Sequence, residues 1–192
     1  SADKVAIKVS DRHFGIGSDG LILVATSDIA DFQMIMYNAD GSRGEMCGNG
    51  IRCVGKFVYD KGLTNKTKVT VETLAGIKML NLNVADGKVK SVRVDMGSPE
   101  FIASKVPVIS ENEKMLGETI VVDDVEYEVD CISMGNPHCV IRMEEDIREL
   151  DLVKMGPHFE NFKAFPNKIN TEFVNVIDKN RVRMRVWERG SG

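Results

Sequence analysis

Cys47 sits in the stretch NADGSRGEMCGNGIRC, residues 38–53, between a turn-rich loop and two glycines and directly ahead of an apolar helical pattern. A thiol packed only for bulk does not need that setting. A thiol meant to lose and regain a proton does. At the head of a helix the amides of Gly48, Asn49 and Gly50 lack intrahelical acceptors, and with the helix dipole they favour negative charge. A cysteine placed there is more readily held as thiolate, its basic and nucleophilic form. Glycines let a ligand approach the backbone closely, and the same amides can cradle a carboxylate. One short stretch therefore offers a thiolate beside an anion site. That pairing suits proton transfer at a carbon next to a carboxylate, as in an amino acid. On this stretch alone a plainer reading stays open, in which Cys47 is a buried cap-region residue and the glycines only make a tight turn.

The helix that presents Cys47 is expected over 48–61. Ile51, Val54 and Val58 share one face at helical spacing, Phe57 adds apolar bulk, and Gly62 suits a left-handed cap. Elsewhere period-two alternation dominates. Strands are expected at 21–26, 32–38, 69–74, 77–84 and 89–96, with Ala85–Lys88 (ADGK) as a hairpin turn because Asp-Gly tolerates positive φ. A second set is expected at 119–135, 138–143, 172–178 and 181–188, with a tight turn at Asp178–Asn180. A weaker helical stretch lies between Ile147 and Phe162, broken near Gly156–Pro157. Residues 97–108 (GSPEFIASKVPV) separate the two sets. The expected architecture is α+β in two units, 1–97 and 98–192, each a curled, mostly antiparallel sheet around a central helix.

Composition excludes several classes. The net charge of -4 leaves no basic footprint for nucleic acid. No apolar run approaches a membrane span, and no secretory signal opens the chain. The four cysteines, Cys47, Cys53, Cys131 and Cys139, are too few for a disulfide scaffold and form no CxxC pair, which speaks against zinc. Most of them read as small buried hydrophobes, and a reducing cytoplasm fits best.

Four blocks in order resemble the diaminopimelate epimerase family: RHFGIGSDGLIL (12–23), NADGSRGEMCGNGIRC (38–53), SMGNPHCV (133–140) and VWERGSG (186–192). Related proline and hydroxyproline racemases tend to carry CGHG where this chain has CGNG. The resemblance implies that family's fold and a cofactor-independent reaction without metal. One cysteine thiolate removes the Cα proton of LL-diaminopimelate, and a second cysteine on the opposite face delivers one, giving the meso isomer for lysine and peptidoglycan precursor synthesis. Epimerisation needs an acid and a base on the two faces of one carbon, in a dry pocket of oriented dipoles that domain closure would seal.

By the same resemblance Cys47 is the first catalytic cysteine, with Gly48 and Asn49 in its substrate loop. Asn38, Asn136 and Asn170 match positions that contact the diaminopimelate skeleton. An amide suits a zwitterion because it donates to carboxylate and accepts from ammonium. Arg189 matches a binder of the distal carboxylate. Glu188 would accept from an ammonium group and influence the nearby thiols. His138 matches a position that orients or tunes the cysteines. His13 and His158 match no catalytic position, and Cys131 and Cys139 read as core. Gly20 stands where some members carry a substrate-contacting Gln, so it is left out of the site.

Both ends read as cut. A strand is expected before the helical turns of residues 1–17. The second unit's central helix and second catalytic cysteine are expected shortly after Gly192, so that these 192 residues alone would be inactive. An uncovered apolar face in the second unit would be filled by a partner segment or by a homodimer. The expected partner is otherwise a small-molecule substrate, with no nucleic acid and no membrane. The alternatives are a racemase of another amino acid, such as proline, or a non-catalytic binding fragment.

Overall fold

The computed structural model describes residues 1–189, and the glycine-rich close of the last motif, residues 190–192, lies outside the described residues. The chain divides into two compact units, Ser1–Gly97 and Ser98–Gly192.

The first unit runs α1 (Ala2–Ser10), β1 (Gly20–Ala25), β2 (Phe32–Asn38), β3 (Arg43–Gly44), α2 (Gly48–Asp60), β4 (Lys68–Thr73), β5 (Gly76–Ala85) and β6 (Lys88–Asp95). Its sheet order is β1-β2-β4-β5-β6, with β3 hanging on β2. The β2–β4 pair is parallel, with Phe32 level with Val71, and the other pairs are antiparallel. The sheet wraps α2. A Cβ added to Gly50 would lie 2.5 Å from Ile22 Cδ1 of β1, and one on Gly55 would lie 2.8 Å from Leu80 Cδ2 of β5 and 3.5 Å from Val92 Cγ1 of β6. A single helix can meet both ends of the sheet only if the sheet curls. Ile51, Val54 and Val58 form the buried face, while Phe57 stays 46% exposed. Burying each aliphatic side chain of that face contributes about 1.5–3 kcal/mol. At the helix end Gly62 (φ 73°) turns left-handed, its N–H donating to Tyr59 C=O at 2.9 Å and Leu63 N–H to Val58 C=O at 2.9 Å. This is a Schellman cap, and it satisfies carbonyls that the helix leaves open.

The second unit contains β7 (Leu116–Val122), β8 (Val125–Ser133), β9 (Pro137–Arg142), α3 (Leu152–Glu160), β10 (Asn170–Asp178) and β11 (Arg181–Trp187), in sheet order β11-β10-β9-β8-β7. Only β9 and β10 pair in parallel among these strands. One face packs on α3, where the Phe159 ring meets Tyr127 and Phe173 edge-on at 5.0 and 5.3 Å. On the other face Val176, Val182 and Met184 are more than half exposed, at 59%, 62% and 55%.

Three local differences from the sequence reading have physical causes. The run 119–135 is two strands, broken by a hairpin at Asp123 (φ 53°) and Asp124 (φ 63°). Aspartate tolerates the left-handed region without a glycine to announce it. The helix read over 147–162 is not broken at Gly156–Pro157. A 3₁₀ turn covers Ile147–Glu149, the break falls at Leu150–Asp151, and α3 then runs through Pro157. Asp151 caps that new start by accepting from Lys154 N–H at 3.1 Å. Gly156 is there for packing: a Cβ on it would lie 2.1 Å from Trp187 Cδ2. Finally, β10 begins at Asn170, two residues earlier than expected, which carries Asn170 into the ladder beside His138.

Candidate active site

Cys47 is the N-cap of α2, in an extended conformation (φ -136°, ψ 109°). Its Sγ accepts from Gly50 N–H at 3.2 Å, and its carbonyl takes the Ile51 N–H at 2.9 Å. Serine, threonine, aspartate or asparagine would cap better, because sulfur is a weak acceptor. The thiol is half-buried. The two flanking glycines answer different demands. Gly50 is needed for space, since its Cβ would strike Ile22. Gly48 is not, because a Cβ there would meet nothing within 4 Å. The amides of Gly48 and Asn49 belong to the first turn and have no intrahelical acceptor, and the space over Gly48 is open. The Asn49 side chain is turned aside, its Oδ1 accepting from the Arg52 guanidinium. What Asn49 offers at the thiol is therefore its backbone.

Asn38 ends β2 and closes the turn that leads to Cys47. Its N–H donates to Ser42 C=O at 2.8 Å and its Nδ2 to Ser42 Oγ at 2.9 Å, while Gly41 N–H returns to Asn38 C=O at 2.9 Å. The turn is braced by α1: Gly41 (φ 84°) lies so close that a Cβ would sit 3.0 Å from Ile7 Cδ1. Gly20 pairs with Asn38 in the β1–β2 ladder, and a Cβ there would come within 2.4 Å of the Tyr37 carbonyl. That position admits no side chain without moving the strands.

In the second unit the predicted residues gather at one end of the sheet. His138 on β9 is level with Asn170 on β10. Asn170 is buried; its Nδ2 donates to Pro137 C=O at 3.0 Å and its Oδ1 accepts from Arg189 N–H at 3.0 Å. That amide pins the start of β9 to the chain beyond β11. The Arg189 guanidinium reaches Asn167 C=O at 3.3 Å. Asn136 Oδ1 lies 3.0 Å from His138 Nε2, and Glu172 Oε1 lies 2.6 Å from His138 Nδ1. Glu172 was not among the sequence candidates. Strand alternation was the available signal, since 170 and 172 fall on one face. Glu188 precedes Arg189 in the chain, and its side chain is exposed.

The remaining cysteines separate clearly. Cys131 and Cys139 face each other across β8 and β9 and are fully buried. The neighbouring Cys131 thiol and burial push the Cys139 thiol well above the ordinary thiol range. Both are core, as the sequence reading held. Cys53 is not a buried hydrophobe: it is exposed on α2, at a groove of about 380 Å³ lined also by Ile22, Leu23, Val24 and Phe57. Its helical position falls outside the Ile51–Val54–Val58 face. Among the described residues no three His, Cys, Asp or Glu side chains converge as a metal site, and no helix is long and apolar enough to cross a membrane.

Comparison with known proteins adds to this geometry. The structure resembles a hydroxyproline epimerase from Agrobacterium vitis (TM-score 0.67, 18% identity, 96% of this chain and 58% of that one). It equally resembles a probable proline racemase from Agrobacterium radiobacter K84 (TM-score 0.67, 16% identity, 98% and 59%). The fold is thus one that these two proteins share. At sequence level the match is narrower. Residues 1–102 and 130–192 match the diaminopimelate epimerase family. The chain is 57% identical over 184 residues to the diaminopimelate epimerase of Methanococcus maripaludis strain S2, covering 96% of this chain and 66% of that protein. It is 55% identical over 189 residues to that of Acetivibrio thermocellus, covering 98% and 67%. The chain belongs to the diaminopimelate epimerase family, and it spans about two thirds of the length of these relatives.

Proposed function

We propose that the protein carrying this chain epimerises LL-diaminopimelate to the meso isomer by two-cysteine proton transfer, without a cofactor, on the route to lysine and peptidoglycan precursors. The observation that carries this reading is Cys47 at the N-cap of α2, under an open Gly48. In the forward step the Cα–H bond breaks and a Cys47 S–H bond forms. The electron pair left on Cα is stabilised beside a carboxylate held by oriented amides, and a second thiol gives its proton to the opposite face. Either thiol can start the reaction, which makes it reversible. Among the described residues Cys131 and Cys139 are sealed in the core and Cys53 shares α2 with Cys47. We therefore assign the second thiol to a part of the protein outside these 192 residues, and expect the isolated chain to be inactive. Asn38, Asn136, Asn170, Glu188 and Arg189 are assigned to the zwitterionic heads of the substrate, and His138 to proton management at the thiols.

The test is Cys47→Ala in the intact protein, assayed by conversion of LL- to meso-diaminopimelate and by exchange of the Cα proton with solvent deuterium. Loss of epimerisation with the fold retained is the expected result, because one of the two faces then has no acid or base. Wild-type turnover in that variant overturns the assignment. A substrate panel that favours proline over diaminopimelate would keep the chemistry and change the substrate.

A further inference from the structure

Glu172 is the third residue of β10, 8% exposed, with one carboxylate oxygen 2.6 Å from His138 Nδ1. The other oxygen, Oε2, is buried with no hydrogen-bond partner. Its neighbours in the ladder are Val140 on β9 and Val186 on β11. An apolar residue would pack against two valines without cost. A buried carboxylate with an unmet oxygen costs stability, so its presence asks for a reason other than packing.

We propose that Glu172 is a positioning residue that fixes the His138 proton on Nδ1 and leaves Nε2 as the nitrogen that exchanges protons. This rests on the assignment of His138 to proton management made above. An ionised carboxylate can only accept, so the ring nitrogen facing it carries hydrogen. The neutral ring then presents its lone pair at Nε2, and the charged ring donates from Nε2. Asn136 Oδ1 lies 3.0 Å from Nε2 and accepts from the charged ring; for the neutral ring the amide turns over and presents its Nδ2–H group to the Nε2 lone pair. The parallel register gives the reach. Asn170 is level with His138 and Glu172 is level with Val140, two residues further on, so the glutamate approaches the ring from along the strand.

The test begins with the unmodified intact protein, labelled with ¹⁵N, and reads the ring nitrogens of His138 by long-range ¹H–¹⁵N correlation. Within these 192 residues His13 and His158 are the other histidines, and His138→Gln assigns the signal. We expect Nδ1 protonated at neutral pH, with that proton redistributed to Nε2 in Glu172→Ala. In Glu172→Gln, which keeps the shape, kcat should fall roughly 10–100-fold, part of the 10²–10⁴ that general acid–base catalysis contributes. KM should change less, since the residue touches no substrate. A wild-type ring protonated only on Nε2 overturns the proposal without any variant. So does an unchanged kcat in Glu172→Gln. If Cys47→Ala retained wild-type turnover while the tautomer shifted as expected, the epimerase reading would fall and the Glu172–His138 pairing would stand.

Discussion

Gly48→Ala pulls the stability of the first unit and its ligand site in opposite directions. Gly48 opens α2, and a Cβ there would find no heavy atom within 4 Å. Its backbone is not in the left-handed region, so alanine fits without strain. Replacing glycine at such a position stabilises by about 0.4–1 kcal/mol, because the unfolded chain loses freedom. The same methyl stands over the amides of Gly48 and Asn49, where a substrate carboxylate would sit. A hydrogen bond to a charged group contributes about 1.5–3 kcal/mol, and losing one weakens binding roughly 10–150-fold. Urea denaturation should therefore show a higher midpoint, while steady-state kinetics of the intact variant show KM for diaminopimelate raised by that factor. A stabilised variant with unchanged KM would refute the amide cradle. A destabilised one would refute the account of the helix start.

Two further outcomes follow from other parts of the molecule. Gly156→Ala forces a methyl to within 2.1 Å of the Trp187 ring, which is anchored by Nε1–H donating to Glu160 Oε2 at 2.8 Å. Overpacking of that kind costs about 1–3 kcal/mol, and an unchanged denaturation midpoint would show that Trp187 moves freely. At low pH, the Arg148 guanidinium and the Arg148 N–H hold the Asp146 carboxyl down from 3.8 to about 2. A depressed acid stabilises the fold above its unfolded value, and loses that contribution as pH falls through its folded one. The stability difference between wild type and Asp146→Asn should therefore shrink between pH 3.8 and about 2. A carboxyl titration followed by NMR that centres on the ordinary aspartate value would contradict the ion pair.

The first unit was the more legible of the two. The Ile51–Val54–Val58 stripe, Gly62 beyond it and the Asp-Gly hairpin are local signals, and each appears in the structure within a residue or so. Strand β2 has the expected bounds, Phe32–Asn38. The second unit hid more because its decisive contacts are not local. Gly156 next to Pro157 reads as a breaker, yet it is small because a tryptophan thirty-one positions later lies on it. The Asp123–Asp124 turn lacks the glycine that usually marks left-handed backbone. Glu172 has its partner, His138, thirty-four positions away on β9.

That pairing explains why one end of the second sheet collects chemistry. In an antiparallel pair, neighbouring strands begin at opposite ends. In a parallel pair they begin together. Period-two alternation is the same for both, so the sequence alone cannot distinguish them. Here β9 and β10 are parallel, and their first residues, Pro137 and Asn170, fall within one step of each other, Asn170 being level with His138. Asn136 precedes one strand and Asn170 opens the other, with His138 between them. The antiparallel β10–β11 pair then returns the chain so that Arg189 N–H meets Asn170 Oδ1. Four candidates separated by up to fifty-three positions are thereby assembled by two ladders, and the bonds that hold them run through the amide of Asn170. It follows that Asn170 bears structural weight whatever it contacts in a substrate. A loss of activity in a variant of Asn170 therefore cannot by itself assign it to binding, whereas Glu188, whose side chain is exposed, gives a cleaner reading of the substrate's ammonium end.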